Sequence, residues 1–217
     1  MRMLRIPGVY RPRRDTSVLC RVLAETGVPA DARALDVCTG TGQVAIAAAR
    51  SGAAQVTAVD ISRRAVFTAS VNGYVRRLGL RVRRGDLFAP VAGELFDLIT
   101  ANPPYVPRAQ GDPRRHGRGR AWDAGPDGRA TLDRICVEAP SLLAPGGVLL
   151  MVHSGLCGVA RTLEALRSAG LRAAVVFRTR EPFGPIMRGR AADLRDLGLI
   201  APGQRHEELV VIRAERP

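Results

Sequence analysis

The chain has 217 residues, enough for one domain with a sizeable core, and its 46% hydrophobic fraction supports a globular fold. Only 4% of residues are aromatic, so Val, Leu, Ile and Ala must build the interior, and no apolar run reaches the length of a membrane span. The formal charge is +13 without a single lysine; this arginine field, partly a coding bias, attracts RNA, ribosomes or acidic protein surfaces and does not choose among them.

In chain order, Asp15 or Thr16 can cap a helix running to about Glu25, with Val18, Leu19, Val22 and Leu23 on its apolar face. The residues from Arg33 to Val37 read as a buried strand that enters a turn, Cys38-Thr39-Gly40-Thr41-Gly42, and then a helix of small residues through Ala49. A second strand covers Gln55 to Asp60, Ser62 starts an amphipathic helix to about Arg77, and Leu80-Arg81-Val82 is a short third strand leading to Asp86 and Leu87. The fourth strand is Phe96 to Ala101. A helix from about Arg129 to Leu143 is expected to turn Leu132, Ile135, Val137 and Leu142 toward the sheet. A fifth strand at Gly147 to Val152, a helix at Val159 to Ala169, a sixth strand at Arg172 to Phe177 and a last strand at Glu208 to Arg213 complete the series. This alternation predicts an α/β fold: a doubly wound, mostly parallel seven-stranded sheet with a C-terminal antiparallel strand. One domain over residues 1–217 is expected, with an N-terminal helical segment at 1–30, a basic loop on the substrate side at 106–126 and an insert at 181–205.

Asn102-Pro103-Pro104-Tyr105 follows the fourth strand directly. The first proline removes a ladder donor and fixes φ, so the strand should end there with the asparagine at its carboxyl edge, where open α/β sheets bind ligands. A carboxamide oxygen beside main-chain carbonyls that no ladder uses can accept both hydrogens of a planar NH2 group.

Gly40-x-Gly42-x-x-Ala45 followed by Asp60 satisfies the dinucleotide fingerprint, but Asp36 at the tip of the first strand would repel a pyrophosphate and welcome an ammonium. A ligand with ribose, adenine and a free α-amino group but no phosphate fits these groups, which is S-adenosyl-L-methionine. Cys20, Cys38, Cys136 and Cys157 lack paired short spacing, and His116, His153 and His206 lack ligand spacing, so no disulfide framework and no metal site is expected. With no apolar core of a signal peptide in Met1-Arg2-Met3-Leu4-Arg5, the expected location is cytoplasmic.

Together with Val9-Tyr10-x-Pro12-x-x-Asp15-Thr16 at the start and Ala121-Trp122-x-x-Gly125-x-x-Gly128-Arg129 beyond the clamp, these motifs resemble the HemK family of class I methyltransferases. That resemblance implies methyl transfer to the glutamine side-chain amide in the Gly-Gly-Gln loop of a peptide-release factor. By it, Asn102, Pro103, Pro104 and Tyr105 form the catalytic clamp. Asp36 holds the methionine ammonium, Gly40 and Gly42 allow close backbone contact, Asp60 accepts the ribose hydroxyls, and Asp86 beside Leu87 meets the adenine amino group. Thr16 and Asn102 also touch the cofactor. The short distance from the first residue to Asp36 is similar to the eukaryotic and archaeal branch, which implies a small zinc-binding activator subunit as a partner. Two departures are visible: Cys38 stands for the usual first glycine of the turn, which suits a negative φ, and Ala124 stands for the first of two adjacent glycines. Two other readings of the residues remain at this point. One is an RNA or DNA methyltransferase acting on the exocyclic NH2 of adenine or guanine; the other is a noncatalytic cofactor-binding partner.

Overall fold

The computed structural model describes residues 3–107 and 124–217, so the predicted basic loop lies almost entirely outside the described residues, as do His116 and Trp122. Its element order is α1 (Arg14–Thr26), β1 (Arg33–Val37), α2 (Gln43–Arg50), β2 (Gln55–Asp60), α3 (Arg63–Tyr74), β3 (Arg81–Arg84), β4 (Phe96–Ala101), α4 (Ala130–Glu138), β5 (Leu143–Ser154), α5 (Val159–Ser168), β6 (Arg172–Pro182), α6 (Pro185–Gly189), α7 (Ala191–Asp196) and β7 (His206–Glu215). The seven strands lie in the order β3-β2-β1-β4-β5-β7-β6. β1 pairs in parallel with both β2 and β4, and β4 with β5, whereas β7 runs antiparallel between β5 and β6. The expected doubly wound, mostly parallel seven-stranded sheet, with its antiparallel C-terminal strand, is the one observed.

Strand alternation divides the interior into two layers, because successive side chains point to opposite faces. Leu35, Val37, Ile99, Leu149 and Met151 pack with Leu132, Ile135 and Cys136 of α4 and Leu166 of α5. On the other face Ala34, Leu98, Leu150 and Val152 meet Val18, Leu19, Val22 and Leu23 of α1 and Val44, Ala45 and Ala48 of α2. Two expectations need correction. Pro140 has no N–H to donate to a helix interior, so α4 stops at Glu138 and a short 3-10 turn, Ala139–Leu142, follows. Val137 is 77% exposed, and Cys136 and Ala139 occupy the sheet-facing positions instead.

The chain order reverses between β1 and β4, which opens a crevice outside their carboxyl ends. Because β7 is antiparallel, its first residues reach this same edge, and Glu207 pairs there with Glu181 at the end of β6. The predicted insert folds as the end of β6, α6 and α7, and Phe183, Met187, Leu194 and Ile200 make a small separate core against Val106.

Candidate active site

A cavity of about 560 Å³ occupies the crevice. One end is built by the turn after β1. Asp36 is 1% exposed; one carboxylate oxygen accepts from the Thr39 hydroxyl at 2.5 Å and the Ala45 N–H at 3.2 Å, and the other from the Thr100 hydroxyl at 2.7 Å. Thr100 is its register partner on β4, so strand pairing itself delivers that bond. Burial pushes the carboxyl up to about 6 against the pull of these donors. Asp60 at the end of β2 accepts from the Gly40 N–H and the Ser62 N–H, both at 2.9 Å, which ties the turn to the neighbouring strand. Gly42, at φ +80°, starts α2 where an added Cβ would lie 3.1 Å from that of Ala69; the turn therefore sits directly on α3.

Cys38 has φ +57°, so the negative φ that would accommodate a cysteine is not what the turn adopts. The glycine expected there has a physical reason, because a side chain in the left-handed region crowds the backbone at roughly 1–2 kcal/mol. Burial, followed by the fields of Asp60, Asp36 and Asp86, pushes the Cys38 thiol well up and keeps it neutral. Leu87, also at positive φ (+45°), lines the cavity near Asp86. Arg134 of α4 grips both oxygens of Asp86 at 2.9 and 3.0 Å, a pairing across 48 residues that sequence reasoning did not foresee.

The opposite end is the clamp. Asn102 Nδ2 donates to Thr16 Oγ1 at 3.1 Å, and no described residue donates to Asn102 Oδ1. Thr16 Oγ1 in turn donates to Asp15 Oδ1 at 3.2 Å, and Asp15 Oδ2 receives the hydroxyls of Tyr10 at 2.6 Å and Tyr105 at 3.1 Å. Burial, reinforced by Asp15, pushes both phenols well up, so they act as neutral donors. Behind the loop, the Cys157 thiol donates to the Tyr105 carbonyl at 3.1 Å. Gly128, at φ +75°, passes so close that an added Cβ would lie 2.5 Å from that same carbonyl oxygen. The adjacent Arg129, 2% exposed, donates to the Cys157 and Gly158 carbonyls and pairs with Asp133, anchoring the backing layer. Gly184, Pro185, Ile186 and Met187 of the insert form another wall, and Glu207, 8% exposed, completes it with Oε2 lacking a hydrogen-bond partner.

The predicted site residues Thr16, Asp36, Cys38, Gly40, Asp60, Asp86, Leu87, Asn102, Pro103, Pro104 and Tyr105 all line this one cavity, and Gly42 closes the turn behind it. Tyr10, Asp15, Thr41, Arg134 and Glu207 join them; Tyr10 and Asp15 belong to the N-terminal motif and Thr41 to the glycine turn, whereas Arg134 and Glu207 carry no local sequence signal. The lining suits S-adenosylmethionine on an observation of its own. Thr41 Oγ1 is buried without a hydrogen-bond partner at the helix amino terminus, where a ligand carboxylate finds donors, and the carboxylate of Asp60 stands at the end of β2. Among the described residues, no cluster of three or more His, Cys, Asp or Glu is arranged for a metal ion, and no helix is long and apolar enough to cross a membrane.

Residues 2–114 match the family model described as the methyltransferase small domain. The putative protein N5-glutamine methyltransferase of Methanocaldococcus jannaschii is 34% identical over 83% of this chain and 90% of its own length. The release factor glutamine methyltransferase of Bordetella pertussis is 41% identical over 76% of this chain, which spans 64% of that protein. Among solved structures, Mtq2 of the E. cuniculi Mtq2-Trm112 complex shares the fold at 22% identity, with a TM-score of 0.66 over 97% of this chain and 99% of that one.

Proposed function

The chain belongs to the protein glutamine N5-methyltransferase group of the methyltransferase small-domain family, and from that premise we propose that it methylates the side-chain amide of the glutamine in the Gly-Gly-Gln loop of a peptide-release factor. The observation that carries the reading is the orientation of Asn102. Its amide nitrogen is committed to Thr16, which leaves the carboxamide oxygen as an acceptor at the carboxyl edge of β4, across the crevice from the glycine turn.

S-adenosylmethionine, when bound, supplies an electrophilic methyl group. Gly40, Thr41, Asp60 and the N–H groups at the start of α2 would hold it, with Asp36 contributing negative charge beneath the ammonium and Asp86 facing the adenine. A carboxamide nitrogen is a poor nucleophile because its lone pair is delocalised into the carbonyl. Asn102 Oδ1 and the Pro103 carbonyl accept its two hydrogens, fix its direction and let it become more tetrahedral as the new bond forms. The consecutive prolines keep the two acceptors in a rigid relation. Tyr105, fixed at its hydroxyl by Asp15 and at its carbonyl by Cys157, packs against the target group, and its π face favours an electron-poor methyl. Orientation of this kind supplies roughly 7–11 kcal/mol, so no strong base is needed before attack.

Release factor and total RNA are incubated in parallel with methyl-labelled cofactor, with and without a Trm112-type activator, since the solved Mtq2 is the partner of such a subunit. Mass spectrometry is expected to find N5-methylglutamine in the Gly-Gly-Gln loop. Asn102→Ala is expected to abolish transfer while leaving cofactor affinity within a few fold. Label that survives protease but not nuclease would replace this reading with an exocyclic-amino nucleic-acid methyltransferase.

A further inference from the structure

We propose that Asp15 is a positioning residue for methyl transfer: through the Thr16 hydroxyl it fixes which face of the Asn102 carboxamide meets the acceptor, and through the Tyr105 hydroxyl it holds the other end of the clamp. The inference rests on the reading of Asn102 as an amide clamp.

The geometry has one self-consistent proton assignment. Asp15, 4% exposed, places Oδ1 against the Thr16 N–H at 2.6 Å and the Thr16 hydroxyl at 3.2 Å, while Oδ2 takes the two phenols. A threonine hydroxyl has one proton, and here it is directed at a carboxylate that cannot return one. Thr16 Oγ1 can then only accept from Asn102, so the asparagine must present Nδ2 to it and Oδ1 to the cavity. With Asn102 reversed, two acceptor oxygens would face each other. Alternatively, the threonine proton would leave Asp15, whose Oδ1 would lose one of its two donors in a buried setting. The N-terminal segment, 86 to 90 residues from the clamp in sequence, thus sets the donor and acceptor polarity of the acceptor site. The same carboxylate links Tyr10 and Tyr105, so the N-terminal segment, the start of α1 and the clamp loop are tied to one side chain.

Three variants separate this role from simple packing. Thr16→Ser keeps the hydroxyl and is expected to retain kcat within threefold. Thr16→Val keeps the shape, removes the polarity signal and is expected to lower kcat at least tenfold with a smaller change in KM for release factor; Asp15→Asn is expected to do the same. A Gly-Gly-Glu peptide serves as the second readout. A reversed Asn102 offers N–H to a carboxylate, so inhibition by the glutamate peptide relative to its glutamine counterpart should rise about tenfold in Thr16→Val and stay unchanged in Thr16→Ser. The Asn102 side-chain amide protons, followed by nitrogen-15 NMR without any substrate, should shift in Thr16→Val and not in Thr16→Ser. Equal losses in the serine and valine variants, or wild-type turnover, peptide preference and amide shifts in Thr16→Val, overturn the proposal. If the wild type methylates no glutamine, the substrate reading fails while the NMR comparison still decides the relay.

Discussion

Replacing Gly128 by alanine tests whether the layer behind the clamp controls catalysis. An added Cβ would lie 2.5 Å from the Tyr105 carbonyl oxygen, 2.9 Å from Cys157 Sγ and 3.1 Å from a carbon of Pro107. Two of these neighbours belong to the clamp loop backbone or its continuation, so relief requires the loop to retreat: opening the shortest contact to 3.0 Å takes about 0.5 Å. The residue also sits at φ +75°, where a side chain costs about 1–2 kcal/mol. For a chain of this size that corresponds to a melting temperature lower by about 2–8 °C. Misplacement of reacting groups by about 1 Å can reduce rate by about a hundredfold, so half that displacement should lower kcat about tenfold. Gly128 does not line the cavity, and cofactor affinity measured by calorimetry should stay within twofold. Circular dichroism melts, single-turnover methylation of release factor and cofactor titration together decide the matter. A variant with wild-type kcat and melting temperature, or one that loses cofactor affinity before turnover, would refute the reasoning.

The turn after β1 yields two more expectations. Cys38→Gly removes left-handed strain of about 1–2 kcal/mol and adds about 0.5–1 kcal/mol of unfolded-chain entropy, so stability should rise by up to about 1.5 kcal/mol; the cavity also widens beside the cofactor, and weaker cofactor binding in this variant would contradict that picture. Asp36 has a folded carboxyl value of about 6 against 3.8, so its contribution to stability is fully present below 3.8 and is lost as pH rises through about 6, by on the order of 3 kcal/mol. Asp36→Asn should therefore gain about that much relative to wild type between pH 4 and pH 7 in urea titrations. The comparison cancels the opposite effect of His153, whose buried imidazole is lowered to about 4 and loses stability in acid. A difference between wild type and variant that does not change with pH would rule out Asp36 as the group responsible. Cofactor affinity of the wild type should run the other way, weakening below about pH 6 as the charge beneath the ammonium is lost.

The sheet was legible because the central strands β1, β2, β4 and β5 carry apolar runs bounded by Gly, Pro or Asp, and because the alternation of strands and helices admits few topologies; the edge strand β3, Arg-Val-Arg-Arg, was marked by its place in that alternation. Contiguous motifs delivered the two ends of the site, the turn from Asp36 to Gly42 and the clamp from Asn102 to Tyr105. What stayed hidden depends on long-range pairing. The Asp86 and Arg134 ion pair joins the loop after β3 to α4, and the bonds from Tyr105 to Asp15 and from Asn102 to Thr16 join α1 to the loop after β4. Glu207 reaches the cavity because β7 is antiparallel, which places the start of that strand where the others end. The sign of φ at Cys38 was hidden by the residue itself, since a glycine there would have announced the left-handed turn. Pro140 did signal the end of α4, and the apolar periodicity that carried the predicted helix past it included Val137, which faces outward.

Methyl transfer by this site depends on which atoms meet the acceptor nitrogen. A crystal structure of this chain with S-adenosylhomocysteine and a Gly-Gly-Gln peptide should place the glutamine amide nitrogen about 2.7–3.2 Å from both Asn102 Oδ1 and the Pro103 carbonyl oxygen. The amide nitrogen of Asn102 facing the peptide, or the glutamine bound away from the end of β4, would contradict it.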